Sequence, residues 1–492
     1  MRLAIVTVLL QAAAVWASDC RGKAIQKELG PLLSAGANIV LPSSPEADEL
    51  LVRASTPRIS PGYVAIVEVA TEEDVQKTVR YANAHSTPFL AVSGAHGWPT
   101  SLAKMHGGIQ INLRRMNFTT VNDDGETANC GGGALQYEMT AELFKQNKRA
   151  VTGICECVSG IGPLLGGGHS MLQGRYGFAA DNLVSARVVL ADGSAVTASA
   201  TENADLFWAI RGAGHNFGIV TSYDLKLYDA GEDWTMIALS FKEDKLEDFF
   251  DTWNKLEDEH EDPGMLVLNG VMARNDMLDP DQPLVNLQLL YEGDNTAVED
   301  YAAAFRKLGP VADNTIRNIS WGNLFDVGGF GTESDVCRKN QNILGYPNSF
   351  ERWDGKTMRR GFRIFSRLTA EKTFSTSAWL LESYGRKGVR AVDESENAVA
   401  PEERQLHLLT SPMMWWVGDD KRDRNKALRV GRRMQRAVRS GQQKPHTYVN
   451  YAMGREGNGE VYGRGDDRLD KLRRLKSQWD PNNRFGFYNP IR

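Results

Sequence analysis

Gly153-Ile154-Cys155-Glu156-Cys157-Val158-Ser159-Gly160-Ile161-Gly162-Pro163-Leu164-Leu165-Gly166-Gly167-Gly168-His169 sets a thiol just ahead of five glycines. Glycine adopts positive φ at no steric cost and lets main chain approach a ligand closely, so the run reads as backbone pressed against a flat or anionic group. A Gly-rich turn between strands gives the same composition. The spacing of Gly162 and Gly166 does not fit G-x-G-x-x-G, so no dinucleotide fingerprint follows. The cysteine inside the run points to chemistry as well as turning.

Around this stretch lie 492 residues, 42% of them apolar, enough to bury two lobes. A net charge of -5 without long runs offers no basic footprint, which argues against nucleic acid and for a small-molecule partner. The start, Met1-Arg2-Leu3-Ala4-Ile5-Val6, continues apolar and closes on Val15-Trp16-Ala17. It reads as a secretory signal over 1–17, so the protein is expected to be secreted or luminal. No later stretch is apolar for the roughly 18 residues a membrane span needs. In a secreted chain the sequons at Asn117 and Asn318 become glycosylation sites. Five cysteines, Cys20, Cys130, Cys155, Cys157 and Cys337, leave one thiol over; if a cofactor bond consumes it, at most two disulfides remain, with open connectivity. No His stands at ligand spacing from Cys155 and Cys157, so no metal site is expected.

Along the chain, Thr71 before Glu72, Glu73 and Asp74 predicts a helix N-cap, and Pro88 to Val92 a strand ending in Ser93-Gly94-Ala95-His96-Gly97. That ending places amides and one imidazole at a strand's mouth. Strands are predicted over 108–113 and 127–130, a helix over 134–146, and a hairpin over 183–198 turning at Asp192-Gly193. Arg211-Gly212-Ala213-Gly214 then leads through Gly218, Ile219 and Val220 into another strand. The pattern is α+β without regular βαβ alternation. From about Asp233 it changes to strands at 235–241, 265–273 and 283–291 with helices at 245–259 and 297–308, an antiparallel sheet carrying helices on one face. Residues 386–403 read as mobile and charged, 406–416 as a strand, 445–451 as a strand and 468–479 as an amphipathic helix stopped by Asp480-Pro481.

Five motifs in register, Ser93 to Gly97, Gly153-Ile154-Cys155 with its glycines, Asp205 to Gly214, Tyr448-Val449-Asn450-Tyr451 and Trp479-Asp480-Pro481, together resemble the berberine bridge enzyme-like FAD-linked oxidases. The resemblance covers about Ile59 to Pro490. It implies a two-lobed fold of the vanillyl-alcohol-oxidase, PCMH-type class: signal 1–17, FAD lobe 18–232 with its core over about 59–230, an inserted substrate domain 233–430, and a C-terminal segment 431–492 completing the FAD lobe. It implies bicovalent FAD, held by His96 at the flavin 8α-methyl and by Cys155 at C6. Imidazole and thiolate are the nucleophiles such an electron-poor ring accepts. By position, Ser93, Gly94, Ala95 and Gly97 would cradle the pyrophosphate, and Gly160, Gly162, Gly166, Gly167 and Gly168 would border flavin and ribityl. Asp181, Asn182, Gly218, Ile219 and Val220 would hold the adenosine end. Val158 resembles the small residue of oxygen-reactive members. Tyr448, on the substrate side with Asn450, is expected to accept the substrate proton.

Four departures stand out: Ala95, Ser159 and Ser170 where glycine is usual, and no carboxylate near Thr410, Ser411 and Pro412. The expected activity is oxidation of a C–H beside O or N in a small hydrophobic molecule, with dioxygen taking the electrons. Oligosaccharide oxidation on platforms drawn from Trp321, Trp353, Trp379, Trp415 and Trp416 is a second possibility, and a flavin-binding protein without turnover a third.

Overall fold

Val64, Ala65, Ile66 and Val67 are buried on both faces of the strand Tyr63–Glu68, the signature of a parallel strand covered on both sides. The structure is a computed structural model that describes residues 19–55, 58–259, 266–293, 295–442 and 444–492; the expected signal segment lies outside the described residues. Tyr63–Glu68 runs parallel to Gly108–Asn112, which runs parallel to Phe89–Val92, and Asn38–Val40 pairs antiparallel on the outer edge. The crossover is the helix Glu72–Ala84. At its start the Thr71 hydroxyl accepts from the Asp74 amide at 3.1 Å while the Asp74 carboxylate accepts from Thr71 N–H at 3.0 Å. The first sheet therefore holds one βαβ unit inside a lobe whose second sheet is antiparallel.

That second sheet orders Thr119–Val121, Thr127–Gly131, Ile219–Asp229, Leu183–Val189 and Ala195–Ser199, with Lys148–Ala150 also on Ile219–Asp229. The third takes Ala312–Ile319, Trp234–Phe241, Asp279–Glu292, Leu266–Asn275, Ala378–Ser383, Leu408–Trp416 and Asn342–Gly345 in that order, all antiparallel, with Asn348–Phe350 also on Leu408–Trp416. The helices Asn295–Arg306, Leu246–Glu259, Gly355–Thr369 and Lys421–Val438 pack side by side against it. The last of these carries the substrate lobe on to Val438.

Two expected elements differ. Residues 386–403, expected to be mobile and charged, are packed in part: Asn397, Ala398, Val399 and Ala400 are buried, and the Ala398 amide donates to Trp208 O at 3.1 Å, while 393–396 are exposed. Residues 445–451 form no strand, because Tyr451 N–H closes a turn onto Tyr448 O at 3.0 Å. The C-terminal tail is locked to the first lobe by Asn216, whose amide reaches Tyr462 Oη (3.0 Å) and Asn489 O (3.3 Å) and whose side-chain oxygen accepts from Ile491 N–H (3.0 Å). Asn216 is fully buried, so removing its side chain would orphan the Ile491 amide, while Tyr462 Oη would still donate to Asn489 O at 2.5 Å.

Among the described residues no helix is long and apolar enough to cross a membrane, and no three His, Cys, Asp or Glu side chains group in a way that could hold a metal ion.

Candidate active site

The strand Phe89–Val92 delivers the loop 93–97 directly against the Cys155 loop: a β-carbon built on Gly94 would stand 2.8 Å from Ser159 N and 3.3 Å from Cys157 O. Two stretches far apart in sequence are thus in main-chain contact, and only glycine permits it. Ala95 follows with φ 59°, the left-handed region that glycine enters freely, and its carbonyl accepts from Ala54 N–H at 3.1 Å. Ala95→Gly relieves that strain, so it is expected to stabilise the fold by about 0.5–1 kcal/mol in thermal or denaturant unfolding.

His96 Nε2 is buried without a hydrogen-bond partner. Burial, then the cations Lys339 and Arg53, depress the His96 imidazole to about 3, leaving it neutral with a nucleophilic lone pair. Cys155 is a free thiol, pushed up to about 12 by burial and then by Glu382. Cys157 is bonded to Cys337 with Cα atoms 5.7 Å apart, which pins the Cys155 loop to the far lobe. Of the cysteines once available for two bridges, Cys20 and Cys130 stay free.

The serines that replace glycine close turns here. Ser159 Oγ accepts from Gly162 N–H at 3.1 Å, and Ser170 Oγ from Leu172 N–H at 3.2 Å. The glycines face neighbouring chain: β-carbons would meet Met139 Sδ at 2.3 Å from Gly160, Asn450 Oδ1 at 2.2 Å from Gly166, and Val188 Cγ1 at 2.3 Å from Gly218. Gly167 and Gly168 take positive φ, 108° and 83°. Ile219 and Val220 are buried at the head of their strand. Asp181 and Asn182, expected near an adenosine, have side chains held by the protein's own groups. The Asp181 carboxylate takes the Arg404 fork at 2.7 and 3.0 Å and the Asn397 amide at 2.7 Å. Asn182 donates to Tyr176 O and Phe178 O and accepts from Tyr228 Oη at 2.7 Å.

Tyr448 is engaged in the same way. Its hydroxyl oxygen accepts from Gly168 N–H (3.1 Å), His169 N–H (3.2 Å) and Asn450 Nδ2 (2.6 Å), while Asn450 also donates to Pro163 O at 2.8 Å. Burial raises the Tyr448 phenol despite these donors. Tyr448 and Asn450 therefore clamp the glycine turn that runs from Pro163 to His169.

The carboxylate missing from Leu408–Trp416 is supplied by its neighbour strand. On Ala378–Ser383, Ala378, Leu380 and Glu382 alternate onto one face and pair with Met413, Ser411 and Leu409. That face looks toward the first lobe, where Trp98 packs with Ile343, Ala378, Met413, Leu380 and Trp415. At its end Glu382 is buried and accepts from Tyr451 Oη at 2.9 and 3.1 Å and from Tyr384 Oη at 3.0 Å. Burial holds the Glu382 carboxyl above the usual range, with both hydroxyls working against it. Tyr451 in turn is raised by burial, then by Glu382 and Cys155, so the phenol, carboxylate and thiol lie within one another's fields. The alternation of small, apolar and acidic residues at 378, 380 and 382 was the sequence signal for this carboxylate.

Beside this pair sits a second buried network. Glu403 accepts from His169 Nε2 at 2.8 Å and from His446 Nε2 at 2.6 Å, and His169 Nδ1 lies 2.8 Å from Gln173 Oε1. The His169 ring stacks on Tyr384 with centroids 5.3 Å apart and meets Tyr448 edge-on at 4.7 Å. His215, half-buried and lowered to about 4 by burial, tilts over Tyr488 at 4.1 Å, and a β-carbon on Gly97 would touch that tyrosine at 2.7 Å.

Comparison with known proteins agrees with this geometry. Residues 64–199 match the family model for an FAD binding domain, and 447–492 the one described as berberine and berberine like. The chain is 34% identical over 483 residues to the FAD-linked oxidoreductase chyH of Penicillium rubens, covering 97% of this chain and 95% of that protein. It is 33% identical to the FAD-linked oxidoreductase chry5 of Gibberella zeae, covering 99% and 98%. The fold is that of chitooligosaccharide oxidase (TM-score 0.81, 21% identity, 95% and 99% covered). It is also that of the glucooligosaccharide oxidase of Acremonium strictum studied for its 6-S-cysteinyl, 8α-N1-histidyl FAD (TM-score 0.80, 19% identity, 95% and 98% covered). With the paired loops of His96 and Cys155 in place, the chain belongs to the berberine bridge enzyme-like family of FAD-linked oxidoreductases.

Proposed function

We propose that the protein is a secreted oxidase that removes hydride and proton from a C–H beside O or N of a small hydrophobic molecule and passes the electrons to dioxygen as hydrogen peroxide. Buried Glu382, with the half-buried Tyr451 hydrogen-bonded to it at the end of an apolar face and within reach of the Cys155 field, carries this reading. His96 and Cys155 are proposed to tether FAD, consistent with the unpartnered His96 nitrogen and the contact between the two loops. Ser93, whose hydroxyl is buried without a partner, is proposed to donate to the cofactor from the same loop. Bound there through Cys155, the flavin would supply a hydride acceptor at N5, the ring atom one fusion carbon from the tethered position.

The chain's own residues do the rest. Tyr451 Oη takes the proton from the substrate's O–H or N–H as its own proton passes to Glu382, so no free phenolate need be stored in a buried site. Tyr448 and Asn450 position the glycine turn. Val158, tied through its carbonyl to Gln136 N–H at 2.9 Å, borders the reacting edge and leaves room for dioxygen.

Trp98, Leu380, Met413 and Trp415 offer the substrate an apolar wall. Of the five tryptophans offered as oligosaccharide platforms, Trp321, Trp353, Trp379 and Trp416 are buried in the cores, which leaves Trp415 on this wall and weakens the oligosaccharide reading. Secretion is favoured by the Cys157–Cys337 disulfide and by the exposure of Asn117 and Asn318, the proposed glycosylation sites. Peroxide release, measured with apolar aromatic or alkaloid-like alcohols and amines and with oligosaccharides, tests the proposal: turnover of the first set supports it, and turnover of oligosaccharides alone rejects it.

A further inference from the structure

The even charge distribution expected from the sequence does not hold in three dimensions. The adjacent helices Gly355–Thr369 and Lys421–Val438 carry thirteen Lys and Arg against one acid, Asp423, in a chain of net charge -5. Their exposed sides line a groove of about 510 Å³ walled by Arg360, Arg363 and Arg367 on one helix and Arg433 and Arg436 on the other, with Ile364 and Ala437 at its base. Arg429 and Arg432 border a continuation of it.

Other cations nearby are neutralised. Arg359 binds Glu243 and Glu247, and Lys426 binds Glu371. The seven groove arginines are exposed, and among the described residues none has a hydrogen bond or ion pair. At i, i+3 and i+4 spacing on two packed helices these guanidiniums repel one another, a repulsion that a multiply charged anion would remove.

We propose that this groove binds a compact ligand bearing several phosphate groups. Each arginine row spans about 10 Å, and the helix axes lie roughly 8–10 Å apart, which is the footprint of a few phosphates rather than of a long polymer. Guanidinium forks match phosphate oxygens in pairs, and concentrated charge in a small volume is what the phosphate class supplies. The groove lies on the helical side of the third sheet, away from the face that carries Glu382, so occupancy is separable from turnover.

The test is calorimetric titration of the flavin-loaded protein with inorganic tripolyphosphate, repeated with Arg363→Glu/Arg433→Glu. Saturable one-to-one binding, weakened at least about tenfold in the variant with activity unchanged, is the expected result. Binding equally strong in the variant, or heat reproduced by sodium chloride of equal ionic strength, overturns the proposal. Vesicles with polyphosphorylated inositol headgroups identify the source: sedimentation reversed by tripolyphosphate assigns a lipid headgroup, and no sedimentation assigns a soluble phosphate. Binding of duplex DNA that tripolyphosphate does not displace also overturns it.

Discussion

Tyr451→Phe is expected to slow reduction of the bound flavin by saturating substrate by about 10²–10⁴, the range assigned to one positioned proton acceptor. The Tyr451 hydroxyl already points at a carboxylate, 2.9 Å from Glu382 Oε2. Glu382→Gln keeps the shape and removes the sink for the proton, so a loss of similar size follows. In the wild type the reduction rate should climb with pH through a limb lying above the ordinary carboxylate range, because burial raises Glu382. The glutamine variant should lose that limb. Stopped-flow absorbance at the flavin band across pH reads both effects. Tyr448→Phe separates the two tyrosines: it strips the Gly168 and His169 amides and the Asn450 amide of their acceptor, so it should lower stability by about 1–3 kcal/mol and change the reduction rate less than Tyr451→Phe does. A larger rate loss at Tyr448 than at Tyr451 would return the proton to Tyr448.

Glu403→Gln is expected to be the most destabilising of these single changes, by about 3–5 kcal/mol, since it leaves His169 and His446 without their shared carboxylate in a buried site. Burial alone would raise Glu403, but His446 and His169 overcome it and hold the carboxyl at about 2 against an ordinary 4.5. A depressed folded pKa contributes stability that is complete above about pH 4.5 and disappears as pH falls toward 2. Wild-type melting temperature should therefore drop across that window, and the glutamine variant, lower throughout, should respond much less there. Differential scanning fluorimetry between pH 2 and pH 7 checks both; parallel profiles would remove Glu403 from the account of acid sensitivity.

Much of the fold was legible because local signals were strong. Thr71 with its acidic turn, Asp192-Gly193 in a hairpin and the apolar period of the 466–479 helix each fix structure from a few neighbouring residues. Residues 445–451 misled because alternating aromatic and polar residues imitate a strand, whereas here they serve a turn whose side chains point at three different partners. Residues 386–403 misled because their many charges suggested solvent throughout, whereas the charges of 390–396 face solvent while Asn397 to Ala400 pack inside and Glu403 is buried between His169 and His446. The pairing of His96 with Cys155 rested on motif identity. Glu382 was invisible to that approach because it sits on the strand beside the one where the family pattern pointed, and only the sheet register joins Glu382 to Leu409. The arginine groove was equally hidden, because its halves are separated by some fifty residues and each alone is an ordinary solvated helix.

Acid precipitation of the purified protein, followed by proteolysis and mass spectrometry of the yellow material, addresses the site most directly. One flavin bridging the peptide that contains His96 and the peptide that contains Cys155 is the expected species. Flavin left in the supernatant, or both peptides at their unmodified masses, would contradict the shared attachment proposed for the two loops.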